Sequence, residues 1–262
     1  MTAMCVGETI TVGAGAAARS IRVEFRPGRG PCLVWLGGFR SDMRGSKAEA
    51  VDAFAAARGQ ACLRFDYSGH GESGGRFEDG TISSWLEESL AVIRRHAGAT
   101  PLLIGSSMGG WLASCAALAL RDAGGSIAPA ALVLVAPAHD FTERLFLPRL
   151  APEARESLRR TGRALIDSDH GEPYPVTQAL FDDGRRHLLL DAPFSVGCPV
   201  AILQGMRDDA VPWQHALDIV ERQRDAAVTL TLIKDGDHRL SREQDIARLL
   251  QTIDAVSALS AD

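Results

Sequence analysis

The chain has 262 residues, a formal net charge of -5 and a 46% hydrophobic composition, a size that one sheet flanked by helices can use without a second domain. With 28 Lys and Arg against 33 Asp and Glu, it lacks the clustered positive charge that phosphate binding needs, so nucleic acid is not an expected partner. No apolar run approaches the roughly eighteen residues that would span a bilayer, and residues 1–12 carry neither an early basic cluster nor an apolar core with a cleavage site, so a cytoplasmic protein is expected.

Short β-branched runs alternate with amphipathic stretches along the chain. Residues 10–12 and 20–25 are expected to open the fold as an antiparallel hairpin across the turn near Gly13 and Gly15. Strand-like runs follow at 32–36, 61–65, 102–105, 131–135, 200–203 and 228–233. Apolar spacing of three and four predicts helices through Leu86, Leu90 and Ile93, through Trp213, Ala216, Leu217 and Val220, and through Ile246, Leu249, Leu250 and Ile253. Ser84 with Glu87 and Ser241 with Gln244 read as capping boxes at two helix starts. Parallel strands need helix-length crossovers, so the fold class is α/β, a mostly parallel sheet with helices on both faces.

The alternation stops at about Ala138 and resumes after Ala192. Between them lie four prolines, at 148, 152, 173 and 175, helical pieces and no clear strand. The expected organisation is a core in two parts, 1–137 and 193–262, with 138–192 as a helical cap insertion. Phe141, Leu145 and Phe146 give it an apolar lining suited to an acyl or aryl group, with Trp213 as a further substrate contact; the same side chains would equally serve to glue the insertion to the body. Cys5, Cys32, Cys62, Cys115 and Cys198 have no CxxC spacing and read as reduced core thiols. Arg155, Arg159, Arg160 and Arg163 read as a solvated helix face.

The sharpest chemical signal is Gly105-Ser106-Ser107-Met108-Gly109, a Gly-x-Ser-x-Gly at the junction of a strand and an Ala- and Leu-rich helix. A tight strand-to-helix turn needs small residues two positions either side of its centre, which selects Ser107 as nucleophile; Ser106 is flanked at that distance by Ile104 and Met108. A serine hydroxyl needs a base within reach and an acid to orient that base, and in this architecture they follow in the order serine, acid, histidine. Gln204 to Trp213 is a polar loop at a strand's carboxyl end and holds adjacent acids, Asp208 ahead of Asp209 as the orienting group. His238 follows the last strand and is placed as the general base. Of the other histidines, His139 and His170 fall in the insertion, where substrate contact is conceivable, while His96, His187 and His215 lie within helical patterns. An oxyanion hole would take the amide of Met108 and one from the Gly37-Gly38-Phe39 turn, where Phe39 is chosen over Gly38 and Arg40. Gly69 to Gly74 matches GxGxxG, but it does not open directly into a helix and no acid ends the next strand, so dinucleotide binding is rejected.

These landmarks resemble the α/β-hydrolase superfamily over nearly the whole chain: Gly37-Gly38-Phe39, Asp66-Tyr67-Ser68-Gly69-His70-Gly71-Glu72-Ser73, the Ser107 elbow, residues 205–212 and Asp237-His238. More narrowly, Arg64 to Gly69, Gly105 to Trp111, Asp208 to Trp213 and Asp237-His238-Arg239 resemble the mitochondrial abhydrolase-domain group of palmitoyl-protein thioesterases and acyl-glucuronide esterases, here without a recognisable presequence and with the composition of a bacterial relative. The resemblance implies an eight-stranded sheet, a cap over the site and the triad Ser107, Asp208 and His238, favouring Asp208 over Asp209. It implies a serine esterase or thioesterase acting on a small-molecule or acylated substrate, with no cofactor and no metal. A carbon–carbon bond hydrolase, an amidase and a non-catalytic ligand-binding protein of the same fold are the alternatives.

Overall fold

In the computed structural model, which describes residues 4–168, 171–225 and 227–259, β1 (Val6–Val12) pairs antiparallel with β2 (Arg19–Arg26), placing Ile10 opposite Ile21. The opening hairpin is thus present and extends beyond its apolar residues. There follow β3 (Arg29–Leu36), α1 (Ser46–Arg58), β4 (Gln60–Phe65), α2 (Ile82–His96), β5 (Leu102–Ser106), α3 (Met108–Asp122) and β6 (Ala131–Val135). After an excursion come β9 (Val200–Gly205), α6 (Trp213–Arg222), β10 (Val228–Ile233) and α7 (Glu243–Leu259). The eight strands form one sheet in the order β1-β2-β4-β3-β5-β6-β9-β10. The β1–β2 and β2–β4 pairings are antiparallel and the others parallel.

Strand periodicity decides which helix each residue meets. In β6, Leu132 and Leu134 join the core under α2, α3 and α6, while Ala131, Val133 and Val135 join the core under α1 and α7. All five are buried, which is why the central strands read as unbroken apolar runs: a parallel sheet covered on both faces has no polar side.

The excursion holds a π-helical turn (Thr142–Phe146), α4 (Pro152–Thr161), β7 (Arg163–Ser168), β8 (Gly171–Thr177) and α5 (Gln178–Gly184). The expectation of no strand here is corrected: β7 and β8 form an antiparallel ribbon separate from the main sheet, with Ile166 opposite Tyr174 and Leu165 opposite Pro175. Prolines read as breakers because a central strand needs every N–H; in a two-stranded ribbon both strands are edges and tolerate the loss. Leu150, Leu158, Ala164, Val176 and Phe181 give this region its own small core.

Both capping boxes are also corrected. The box of α2 is Thr81 with Ser84: the Thr81 side chain accepts from the Ser84 amide (3.2 Å) while the Thr81 amide donates to Ser84 Oγ (2.9 Å). Ser84 is therefore three residues inside the box rather than its start, and α2 buries Ile82, Trp85, Val92 and Ile93, leaving Leu86 and Leu90 only partly covered. Ser241 spends its hydroxyl on the Arg239 carbonyl (3.0 Å) and accepts from Lys47 (3.3 Å) in the loop before α7.

Candidate active site

Ser107 joins β5 to α3 at φ 56°, ψ -120°, a conformation that costs a residue with a side chain about 1–3 kcal/mol. The surroundings hold it there: its amide donates to Val135 O (2.9 Å), and its carbonyl accepts from the amides of Gly110 (2.9 Å) and Ala138 (3.1 Å). The flanking glycines are a packing requirement. A Cβ on Gly105 would lie 2.3 Å from Gly109 O, and one on Gly109 would lie 2.1 Å from Leu36 O.

Asp208 follows β9 and is buried. Its Oδ1 accepts from the amides of Ala210 (2.9 Å) and Val211 (2.7 Å), and its Oδ2 faces Gln204 Nε2 at 3.1 Å and His238 Nδ1 at 2.8 Å. Asp209 is exposed, and its backbone carbonyl accepts from Arg149. His238 lies between β10 and α7, in a turn closed by the Leu240 amide donating to Asp237 Oδ1 (2.9 Å). Lys47, whose amine burial pulls down to about 8, donates to the Arg239 carbonyl behind that turn.

His238 Nε2 stands 3.1 Å from Ser107 Oγ. Because the Asp208 carboxylate can only accept, it draws the imidazole proton to Nδ1 and leaves a lone pair on Nε2 aimed at the serine. A chain of this kind can take the hydroxyl proton as Ser107 attacks an electrophile and can stabilise the resulting imidazolium.

Phe39 and Met108 line the same cavity as Ser107 and His238, a space of about 660 Å³. Arg40, one of the alternatives to Phe39, commits its amide to His70 Nε2 (3.1 Å). Gly38 packs on the nucleophile, since a Cβ there would lie 3.3 Å from Ser107 Cβ. Phe141, Leu145 and Phe146 line the cavity too. The placement of Trp213 as a substrate contact is corrected: it is absent from the cavity lining, whose wall here is Asp209, Ala210 and Val211, and it opens α6, a helix that buries His215, Ala216 and Ile219. Tyr174 and Ile166 of the ribbon and Arg149 were missed; no local sequence signal marks residues brought in by an irregular excursion.

The remaining histidines divide by burial. His139 is fully buried, its Nε2 facing Ser114 Oγ (2.9 Å), and burial pushes its pKa down to about 3; it does not reach the cavity, so the suggested substrate contact is corrected. His170 lies outside the described residues. His96 pairs with Glu8, and His187 with Ser83. The GxGxxG segment closes on itself through Gly69 N to Gly74 O (2.9 Å) and leads to a single turn at Phe77–Asp79. Among the described residues no cluster of His, Cys, Asp and Glu could hold a metal ion, and no helix is long and apolar enough to cross a membrane.

Residues 33–252 match the Alpha/beta hydrolase family. The human mitochondrial palmitoyl-protein thioesterase ABHD10 is 35% identical over 229 residues, covering 87% of this chain and 73% of that protein. Among solved structures, a putative hydrolase from Agrobacterium vitis S4 superposes with a TM-score of 0.94 at 46% identity, covering 97% of this chain and 99% of that one. Mouse alpha/beta hydrolase domain-containing protein 10 superposes with a TM-score of 0.83 at 31% identity, covering 95% and 98%. With the family matched across most of its length and the sheet order described above, this chain belongs to the alpha/beta hydrolase family.

Proposed function

We propose that the protein is a serine hydrolase that cleaves a carboxylic ester or thioester through an acyl-enzyme on Ser107. The observation that carries this reading is the continuous hydrogen-bonded line from Ser107 Oγ through His238 to buried Asp208, with Ser107 and His238 lining a cavity that Phe39, Phe141, Leu145 and Phe146 also line. Ser107 Oγ attacks the carbonyl carbon, and His238 Nε2 takes its proton. The amides of Met108 and Phe39 receive the oxyanion. Collapse of the tetrahedral intermediate breaks the bond to the alcohol or thiol, which leaves with the proton from His238. Water then repeats the sequence on the acyl-enzyme and releases the acid, with Asp208 holding the imidazole tautomer in both halves.

Phe39, Phe141, Leu145 and Phe146 suit an acyl or aryl group, and residues 138–192 act as the cap that supplies most of them. The name of the human relative favours a thioester-linked acyl group. The unpaired state of all five cysteines fits a thiol-reducing compartment such as the cytoplasm.

The test is the specificity constant for one medium or long acyl chain presented both as a thioester and as an oxygen ester, with Ser107→Ala as control. A strong Ser107-dependent thioester preference supports a deacylase of thioester-linked acyl groups. Equal or ester-favouring rates point to a general carboxylesterase, and unimpaired turnover by Ser107→Ala removes the reading altogether.

A further inference from the structure

We infer that His70 and Ser41 are positioning residues for the oxyanion donor, gripping two successive peptide planes of the turn that carries the Phe39 amide; the inference rests on the acyl-enzyme reading above. The Gly38 carbonyl accepts from both the Ser41 amide (3.1 Å) and Ser41 Oγ (2.8 Å). The chain has no cis peptide among the described residues, and a trans peptide puts its N–H opposite its C=O. A Gly38 carbonyl committed to Ser41 therefore sends the Phe39 N–H the other way. Among the described residues no group accepts from that amide, so it stays available to a ligand.

The next peptide plane is held by His70. Its Nε2 accepts the Arg40 amide at 3.1 Å, and its Nδ1, 3.2 Å from Ser68 O, must then carry the proton and donate to that carbonyl. The ring is 4% exposed and boxed edge-on by Tyr67, Phe77 and Trp85 at centroid distances of 5.2–5.6 Å, so it cannot swing to another partner. Burial also draws its pKa down to about 4, which keeps Nε2 an acceptor at neutral pH. The segment needs such a grip because Arg40 sits at φ 59°, a left-handed conformation that a free loop residue with a side chain would leave. Without it the turn can relax and carry the Phe39 N–H away from the developing oxyanion.

The experiment compares wild type, His70→Leu, His70→Gln and Ser41→Ala on p-nitrophenyl butyrate, and measures inhibition by a trifluoromethyl ketone, which forms an oxyanion on Ser107, against its unreactive methylene analogue. His70→Leu removes the acceptor; His70→Gln returns an oxygen close to the Nε2 position. Since deleting an oxyanion donor costs about 100- to 1000-fold in turnover, loosening one is expected to lower kcat about 10- to 100-fold with KM within about twofold. Ketone affinity should fall by a similar factor while the analogue binds as before, and His70→Gln should recover most of the loss. Ser41→Ala, which keeps the backbone half of its grip, is expected to lose about 3- to 10-fold in kcat, and it decides the matter if His70→Leu does not fold. Unchanged kcat in the folded variants, or equal losses for ketone and analogue, overturns the inference. Ser107→Ala separates this from the underlying reading: if it stays active the acyl-enzyme is wrong, whereas if it is inactive while the His70 and Ser41 variants match wild type only the positioning role falls.

Discussion

Replacing Asp208 by Asn keeps the shape of the side chain and reverses the polarity of half of it. The native carboxylate accepts four hydrogen bonds, two on Oδ1 from the amides of Ala210 and Val211 and two on Oδ2 from Gln204 and His238. Asparagine has one acceptor oxygen. Turned towards the two amides, as the fixed backbone demands, that oxygen leaves an NH₂ group facing both Gln204 Nε2 and His238 Nδ1. The imidazole can meet an N–H donor only by moving its own proton to Nε2, where it points at Ser107 and cannot accept the serine proton. The expected loss in kcat is about 10⁴-fold, the size seen when a triad acid is made an amide, or about 5 kcal/mol of transition-state stabilisation at 1.36 kcal/mol per decade. The cavity lining is untouched, so KM should stay within about threefold. The donor-to-donor clash at Gln204, buried with Asp208, should cost a further 1–3 kcal/mol or so of stability. Steady-state kinetics on p-nitrophenyl butyrate with urea unfolding of the same samples reads both quantities, and Asp209→Asn, whose carboxylate has no bond to His238, should keep kcat within about threefold. If Asp208→Asn retains more than a tenth of wild-type kcat, the tautomer argument is wrong.

Two other outcomes follow from the site and its support. Phe146 contacts Phe39 and Phe141 and stacks on Phe181 with centroids 5.8 Å apart; Phe146→Ala should shift the ratio of specificity constants towards longer acyl esters, while Trp213→Ala, outside the cavity lining, should leave each constant within about twofold. His139 titrates near 3 in the folded chain because of burial, against about 6.5 when unfolded. Its folded value is depressed, so below about pH 6.5 the unfolded state binds a proton that the folded state refuses, and stability falls as pH drops towards 3. Between pH 7 and pH 4.5 this group alone should remove about 2–3 kcal/mol. In urea unfolding at both values, His139→Gln should show a pH dependence smaller by that amount, and an identical dependence would mean His139 is not held neutral by burial.

What could be read without coordinates follows the range of the forces involved. The elbow is legible because its constraint is local: a Cβ at Gly105 or Gly109 would fall 2.3 or 2.1 Å from a backbone oxygen, so neither position accepts a side chain. The central strands are legible because burial on both faces leaves apolar runs such as 131–135. Other features depended on partners far along the chain. The β7–β8 ribbon was hidden by Pro173 and Pro175, which break a central strand but not an edge. The α2 box is Thr81 with Ser84, a pair without the Glu or Gln that marks the pattern in a sequence, whereas Ser84 with Glu87 has that pattern but lies inside the helix, where Ile82 and Trp85 are already buried. Trp213 has the size and position of a pocket residue, yet whether it faces a cavity depends on how α6 rotates onto the sheet. The role of His70 was invisible for the same reason, since its partner Arg40 lies thirty residues away.

The most direct test of the acyl-enzyme is to trap it. Enzyme mixed with excess p-nitrophenyl butyrate and quenched in acid within the first turnovers should carry one butyryl group on the peptide containing Gly105 to Gly110, fragmentation should place it on Ser107 rather than Ser106, and Ser107→Ala should carry none. Continued hydrolysis with no acylated peptide, or with the acyl group on another residue, would contradict the account.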